Sequence, residues 1–159
     1  MDAKAGVTLG IEMGINFIIS GFLNGLCAWL WHHTAVTVPT AFWSLFIDTA
    51  ITCYLVSVCT AFFATKSGKR YLVQGMYVTV KEVWNRRLQS LPETAFPIGC
   101  CLFGMYLPVL IAVFWSVFHL AGTTAMSVVC YMIFKGVWGG LYGAFICIVV
   151  LLRHLGTVP

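Results

Sequence analysis

AFWSLFIDTAITCYLVSVCTAFFAT, residues 41–65, holds one charge, Asp48, and ends at the basic run KSGKR, residues 66–70. About 20 mostly apolar residues are enough for a helix to cross the ~30 Å hydrocarbon core of a bilayer. The stretch therefore reads as a transmembrane helix with a basic stop. Three further runs of the same kind, Ile11 to Trp31, Thr94 to Phe118 and Val128 to Leu152, take up most of the remaining chain. The composition agrees: 60% of the 159 residues are hydrophobic, 9% are charged, and the mean hydropathy is +0.93, where a soluble domain carries roughly 25% charged residues. The predicted fold is all-α: one domain, residues 1–159, of four transmembrane helices forming two hairpins joined by a basic cytoplasmic amphipathic connector. No basic flank, short apolar region and small-residue cleavage site follow one another at the start, so the first run reads as a retained span.

Charge sets the expected orientation. Lys66, Lys69, Arg70, Lys81, Arg86 and Arg87 lie between the second and third runs, Arg153 follows the fourth and Lys4 precedes the first. The opposite connections, His32 to Thr40 and His119 to Ser127, contain no Lys, Arg, Asp or Glu. Because cytoplasmic loops retain Lys and Arg, both termini are expected in the cytoplasm and the protein in the inner membrane. The net charge of +4 is then explained by topology and by attraction to anionic headgroups, and no nucleic-acid partner is expected. The bilayer is the first partner. Four helices enclose little volume, which makes further copies or other membrane proteins the next.

In the connector, residues 66–93, Val73, Met76, Tyr77, Val80, Trp84, Leu88 and Leu91 recur at three- and four-residue steps opposite Gln74, Lys81, Asn85 and Gln89. That period predicts an amphipathic helix in the membrane interface, with simple extension of the second span as the alternative. Ser90, Pro92 and Glu93 have the spacing of a helix start.

Two charges inside the spans carry the strongest functional signal. Asp48 and Lys135 each stand seven residues into their runs, about 10 Å below the same boundary at 1.5 Å per residue. A charge at that depth costs at least ~2.5–3.5 kcal/mol without a partner. Equal depth and opposite sign predict an ion pair, serving either as a lock between helices or as the centre of a site for a solute or ion. In the first run Glu12, Asn16, Ser20 and Asn24 follow at four-residue steps and form a polar stripe, echoed by Thr52 in the second. The stripe fits interhelical hydrogen bonding or a hydrated groove. Gly136, Gly139, Gly140 and Gly143, with the pairs Gly10/Gly14 and Gly21/Gly25, mark faces where helices approach closely.

Seven cysteines, an odd number with none in the charge-free connections, argue against a disulfide framework and read as small packing residues. His32, His33 and His119 stand at one end of the spans and His154 at the other. They read as interfacial residues beside the anchors Trp29, Trp31, Trp43 and Trp115, with His32 and His119 as candidate metal or haem ligands. No GxSxG, P-loop, acidic metal cluster or GxGxxG unit is present. The expectation is a non-enzymatic protein with no cofactor specified by its residues.

The segments LNGLCAWLW (residues 23–31), FWSLFIDTAITCYLVSVCTAFFAT with KSGKR (42–70) and YMIFKGVWGGLYGAF (131–145) resemble a group of bacterial four-span inner-membrane proteins. The resemblance implies that location and the four-span fold, and it supplies no catalytic or ligand residue. The leading functional reading is binding or passage of a small solute or ion between the helices around Asp48 and Lys135. Its competitors are an accessory or assembly subunit that docks other membrane proteins and, more distantly, a haem- or metal-binding redox protein.

Overall fold

The structure, a computed structural model, describes residues 3–157, with side chains from Ala5 onward, so the side chain of Lys4 lies outside the described residues. Four long helices dominate: α1 (Ala3–His32), α2 (Phe42–Val73), α4 (Ala95–Leu120) and α5 (Val128–Leu155), with the short α3 (Glu82–Gln89) between α2 and α4. The four long ones are apolar and long enough to cross a membrane.

Packing departs from the expected hairpin pairs. α5 is central, with α1 along one side and α2 along another; α4 packs on α2, and α1 and α2 touch at few places. Glycine decides this arrangement. A Cβ on Gly140 would come within 2.8 Å of the Phe17 carbonyl, and one on Gly21 within 2.8 Å of the Gly136 carbonyl. Only hydrogen side chains let the two backbones lie so close, and in lipid such close packing is what draws helices together. Gly99 does the same for α4, where a Cβ would meet the Val58 Cα at 2.9 Å. α1 and α5 run antiparallel, as do α2 and α4, whereas α2 and α5 run parallel.

Each end is closed by a short strand pair. β1 (Thr37–Pro39) and β3 (Ala125–Ser127) form an antiparallel ribbon with Thr37 opposite Ser127, reinforced by Thr40 N–H donating to the Thr124 carbonyl at 3.0 Å. At the other end β2 (Val78–Thr79) pairs in parallel with β4 (Gly156–Thr157). We call these the ribbon end and the connector end.

The connector is not one interfacial helix. α2 continues past KSGKR to Val73 and the chain turns at Gly75, whose φ is +73°, so the extension alternative describes only residues 66–73. Only Glu82–Gln89 is helical beyond the turn, and none of its residues is buried. The period-3.6 pattern is interrupted because Val78 and Thr79 are engaged by the C-terminal strand. The expected helix start at Ser90 is also displaced. Ser90 caps the end of α3, its hydroxyl donating to the Arg87 carbonyl at 2.7 Å, and α4 begins after Thr94. Pro97 sits in the first turn of α4, where its missing N–H has no helical partner to lose, and Pro108 lies inside the helix.

Two apolar clusters fill the interior. One, toward the connector end, includes Ile98, Leu102, Ile146, Val150 and Leu151; the other, toward the ribbon, includes Leu45, Phe114, Phe118 and Tyr131. The polar site lies at their junction.

Candidate functional site

Asp48 on α2 and Lys135 on α5 meet, Nζ to Oδ2, at 2.9 Å. Lys135 also donates to Thr52 Oγ1 at 2.8 Å, and that hydroxyl donates to the Asp48 carbonyl at 2.8 Å. Tyr131 donates its hydroxyl to the same Oδ2. The geometry is helical arithmetic: Thr52 stands four residues after Asp48 and Tyr131 four before Lys135, so each helix presents two polar side chains one above the other. The expected pair is therefore a four-residue network. The sequence reading missed Tyr131, although its four-residue spacing to Lys135 mirrors that of Asp48 and Thr52.

The network is lopsided. Lys135 is 4% exposed and the Asp48 side chain 17%. Beneath Lys135 lies a cavity of about 20 Å³ bordered by Asn24, Thr49, Thr52 and Tyr142, room for one water among polar groups. Beside Asp48 lies a much larger space, a cleft of about 500 Å³ between α1 and α2 whose walls include Leu30, Trp31, His32, Ser44, Ile47 and Ile51. A second cavity of about 250 Å³ shares Cys27, Thr52 and Leu55 with it and continues past Ile19, Leu23 and Cys59 to Phe63. The space exists because α5 holds α1 and thereby keeps it off α2.

The polar stripe of α1 is divided among three duties. Ser20 and Asn24 are buried against Gly143 and Gly139 of α5, with Asn24 Nδ2 donating to the Ser20 carbonyl at 2.8 Å. Asn16 donates to Cys147 Sγ at 3.2 Å and to the Glu12 carbonyl at 2.9 Å, and it borders the second cavity. Glu12 accepts from the Tyr71 hydroxyl at 2.5 Å, with Arg70 at 3.9 Å, and so ties α1 to the connector end of α2.

The structure gives the two candidate histidines different neighbours. His32 packs its ring edge-on to Tyr131, centroids 5.5 Å apart, and its Nε2 is buried without a hydrogen-bond partner. His119 stacks on Trp115 at 5.1 Å. Among the described residues no three His, Cys, Asp or Glu side chains gather as a metal site would require.

Arg153, read from sequence only as a topology signal, is buried at the connector end. It donates to the Leu91 carbonyl at 3.1 Å and to Gln89 Oε1 at 2.7 Å, with Glu93 at 3.6 Å. It fastens the segment after α3 to the end of α5.

No family model, no curated protein and no solved structure matches the chain.

Proposed function

We propose that this is a non-enzymatic integral membrane protein that binds or passes a small solute or ion through the α1–α2 cleft, with Asp48 as the contact group. The observation that carries the reading is the one-sided burial of the ion pair: Lys135 is sealed in protein while the Asp48 carboxylate borders the cleft. Both of its side-chain partners converge on Oδ2. A carboxylate oxygen pair accepts about four hydrogen bonds, so Asp48 retains accepting capacity toward a ligand. A pure lock gains nothing from an open flank, because water or ligand there weakens the pair. The assembly-subunit reading loses its main support, since the glycines of α5 are filled by α1. The proposed setting is the inner membrane with both termini in the cytoplasm, which puts the ribbon end outside.

Thiol accessibility tests the reading. In membrane vesicles, with the labelled positions mapped by mass spectrometry to separate them from the native thiols, Ile47→Cys, on the cleft wall, is expected to react with a water-soluble thiol reagent added from the ribbon side, and Ile133→Cys, on the exposed face of α5, to stay shielded by lipid. Equal shielding of both would show the cleft closed to solutes.

A further inference from the structure

The shape and chemistry of the groove narrow its occupant. From Ser44 to Phe63 the two cavities follow α2 for about 28 Å, close to the ~30 Å thickness of a hydrocarbon core. Together they fall within the 300–1,000 Å³ typical of small-molecule sites. Its exposed walls, Ile19, Leu23, Ile47, Ile51, Leu55 and Phe63, are apolar. Its polar floor, Ser20, Asn24, Thr52 and Thr60, is buried. The polar groups open to an incoming ligand concentrate at the ribbon end, in Ser44 and Asp48. A groove with its open polar groups toward one end and apolar walls continuing beyond them has the form of a single-chain amphiphile lying along the helices.

Charge selects the head. Asp48 is already neutralised by Lys135 at 2.9 Å, and neither residues 32–47 nor 119–134 contain another Lys, Arg, Asp or Glu. A phosphate would meet Asp48 with no cation to offset it, since Lys135 is sealed behind the carboxylate. An ammonium would give up its hydration for an anion that is already paired. A hydroxyl fits both open groups: it donates to a carboxylate oxygen of Asp48, and it pairs with the Ser44 hydroxyl as donor or acceptor. Tyr131, bonded to Asp48 and packed against the His32 ring, holds the carboxylate at the groove wall.

We propose that the α1–α2 groove binds an uncharged, polyol-headed, single-chain lipid drawn from the bilayer, its hydroxyls on Asp48 and Ser44 and its chain along Leu23, Leu55 and Phe63. This rests on the cleft being a binding site and names its ligand class.

The test uses the full chain in phosphatidylcholine nanodiscs with a monoacylglycerol carrying a photoreactive tail, the adducts being mapped by mass spectrometry. Adducts are expected on Ile19, Leu23, Leu55 and Phe63 in excess of those on Val109 and Val137, which face outward elsewhere, and excess unlabelled monoacylglycerol should remove them. Probes with the same tail but a phosphate or ammonium head should mark both surfaces alike. Ser44→Ala removes an exposed hydroxyl on the groove wall and should lower groove labelling about five- to tenfold, the scale of one lost hydrogen bond. Leu55→Trp, an exposed position shared by the two cavities, should block labelling without touching the core. Even labelling of all outward faces would overturn the proposal. Groove labelling by a charged probe in preference to the polyol would overturn the ligand class while leaving the cleft a binding site.

Discussion

Asp48 and Lys135 have unequal surroundings, and their replacement should be correspondingly unequal. Asp48→Asn strands an ammonium that is 4% exposed, whereas Lys135→Met leaves a carboxylate that still accepts from Tyr131 and borders an open cleft. Removing one partner of a buried pair typically costs ~3–5 kcal/mol. We expect Asp48→Asn at the upper end of that range, Lys135→Met at or below the lower end, and the double variant to recover much of the loss. Thermal unfolding of the singles and the double in detergent gives the coupling energy, and a value near zero would mean that the groups do not meet in the membrane. Tyr131→Phe removes one hydrogen bond to a charged acceptor and should cost ~1.5–3 kcal/mol, read from the same unfolding curves. The pair was legible because opposite charges at one depth have few other ways to be satisfied. Tyr131 was not, because a tyrosine near the end of a span is equally at home as an interfacial anchor, and only the facing helix reveals which it is.

The glycine face of α5 makes a sharp distinction among residues of one type. Gly140→Val would drive a side chain into the Phe17 carbonyl, 2.8 Å from the position of its Cβ, and should cost ~1–3 kcal/mol or more as overpacking. Gly10→Ala and Gly14→Ala meet nothing within 4 Å and should stay within ~0.5 kcal/mol of the parent. Unfolding midpoints of the three variants check the contrast, and equal losses would refute the α1–α5 packing. At the connector end, Arg153→Met should free residues 89–93 from α5. It removes charge-assisted bonds worth at least ~1.5 kcal/mol, and hydrogen exchange over residues 82–93 should speed up while that of α4 stays slow. Close approach was legible in the glycine spacing. Its partner was not, since GxxxG names a face without naming what lies against it. The connector misled for a related reason: its apolar period is real, but its first member, Val73, still belongs to α2 and the rest is interrupted by pairing with residues 156 and 157, some 80 positions away and outside any local pattern.

Across the whole molecule, the number of helices long and apolar enough to cross a membrane follows from composition, because the bilayer sets both length and polarity. Their order in space does not. Lipid tails are as apolar as leucine, so hydrophobicity gives no preference for one neighbour over another, and small residues and hydrogen bonds decide. Orientation is tested directly by reporter fusions at Thr37 and Gln74: the basic connector predicts Gln74 in the cytoplasm and Thr37 outside, and the reverse result would invert the proposed sidedness of the cleft.

The dependence of α1 on α5 also has a meaning in time. Synthesis proceeds from the N-terminus, so α1 is made well before α5, the helix that chiefly holds it. Until α5 emerges, Ser20 and Asn24 have no glycines to settle against and Asn16 has no Cys147. α1 must wait in lipid with its polar flank uncovered while more than a hundred further residues are made. A chain released before Val128 would leave α1 without the helix that holds it, so that the arrival of α5, rather than the insertion of α1, settles where α1 lies.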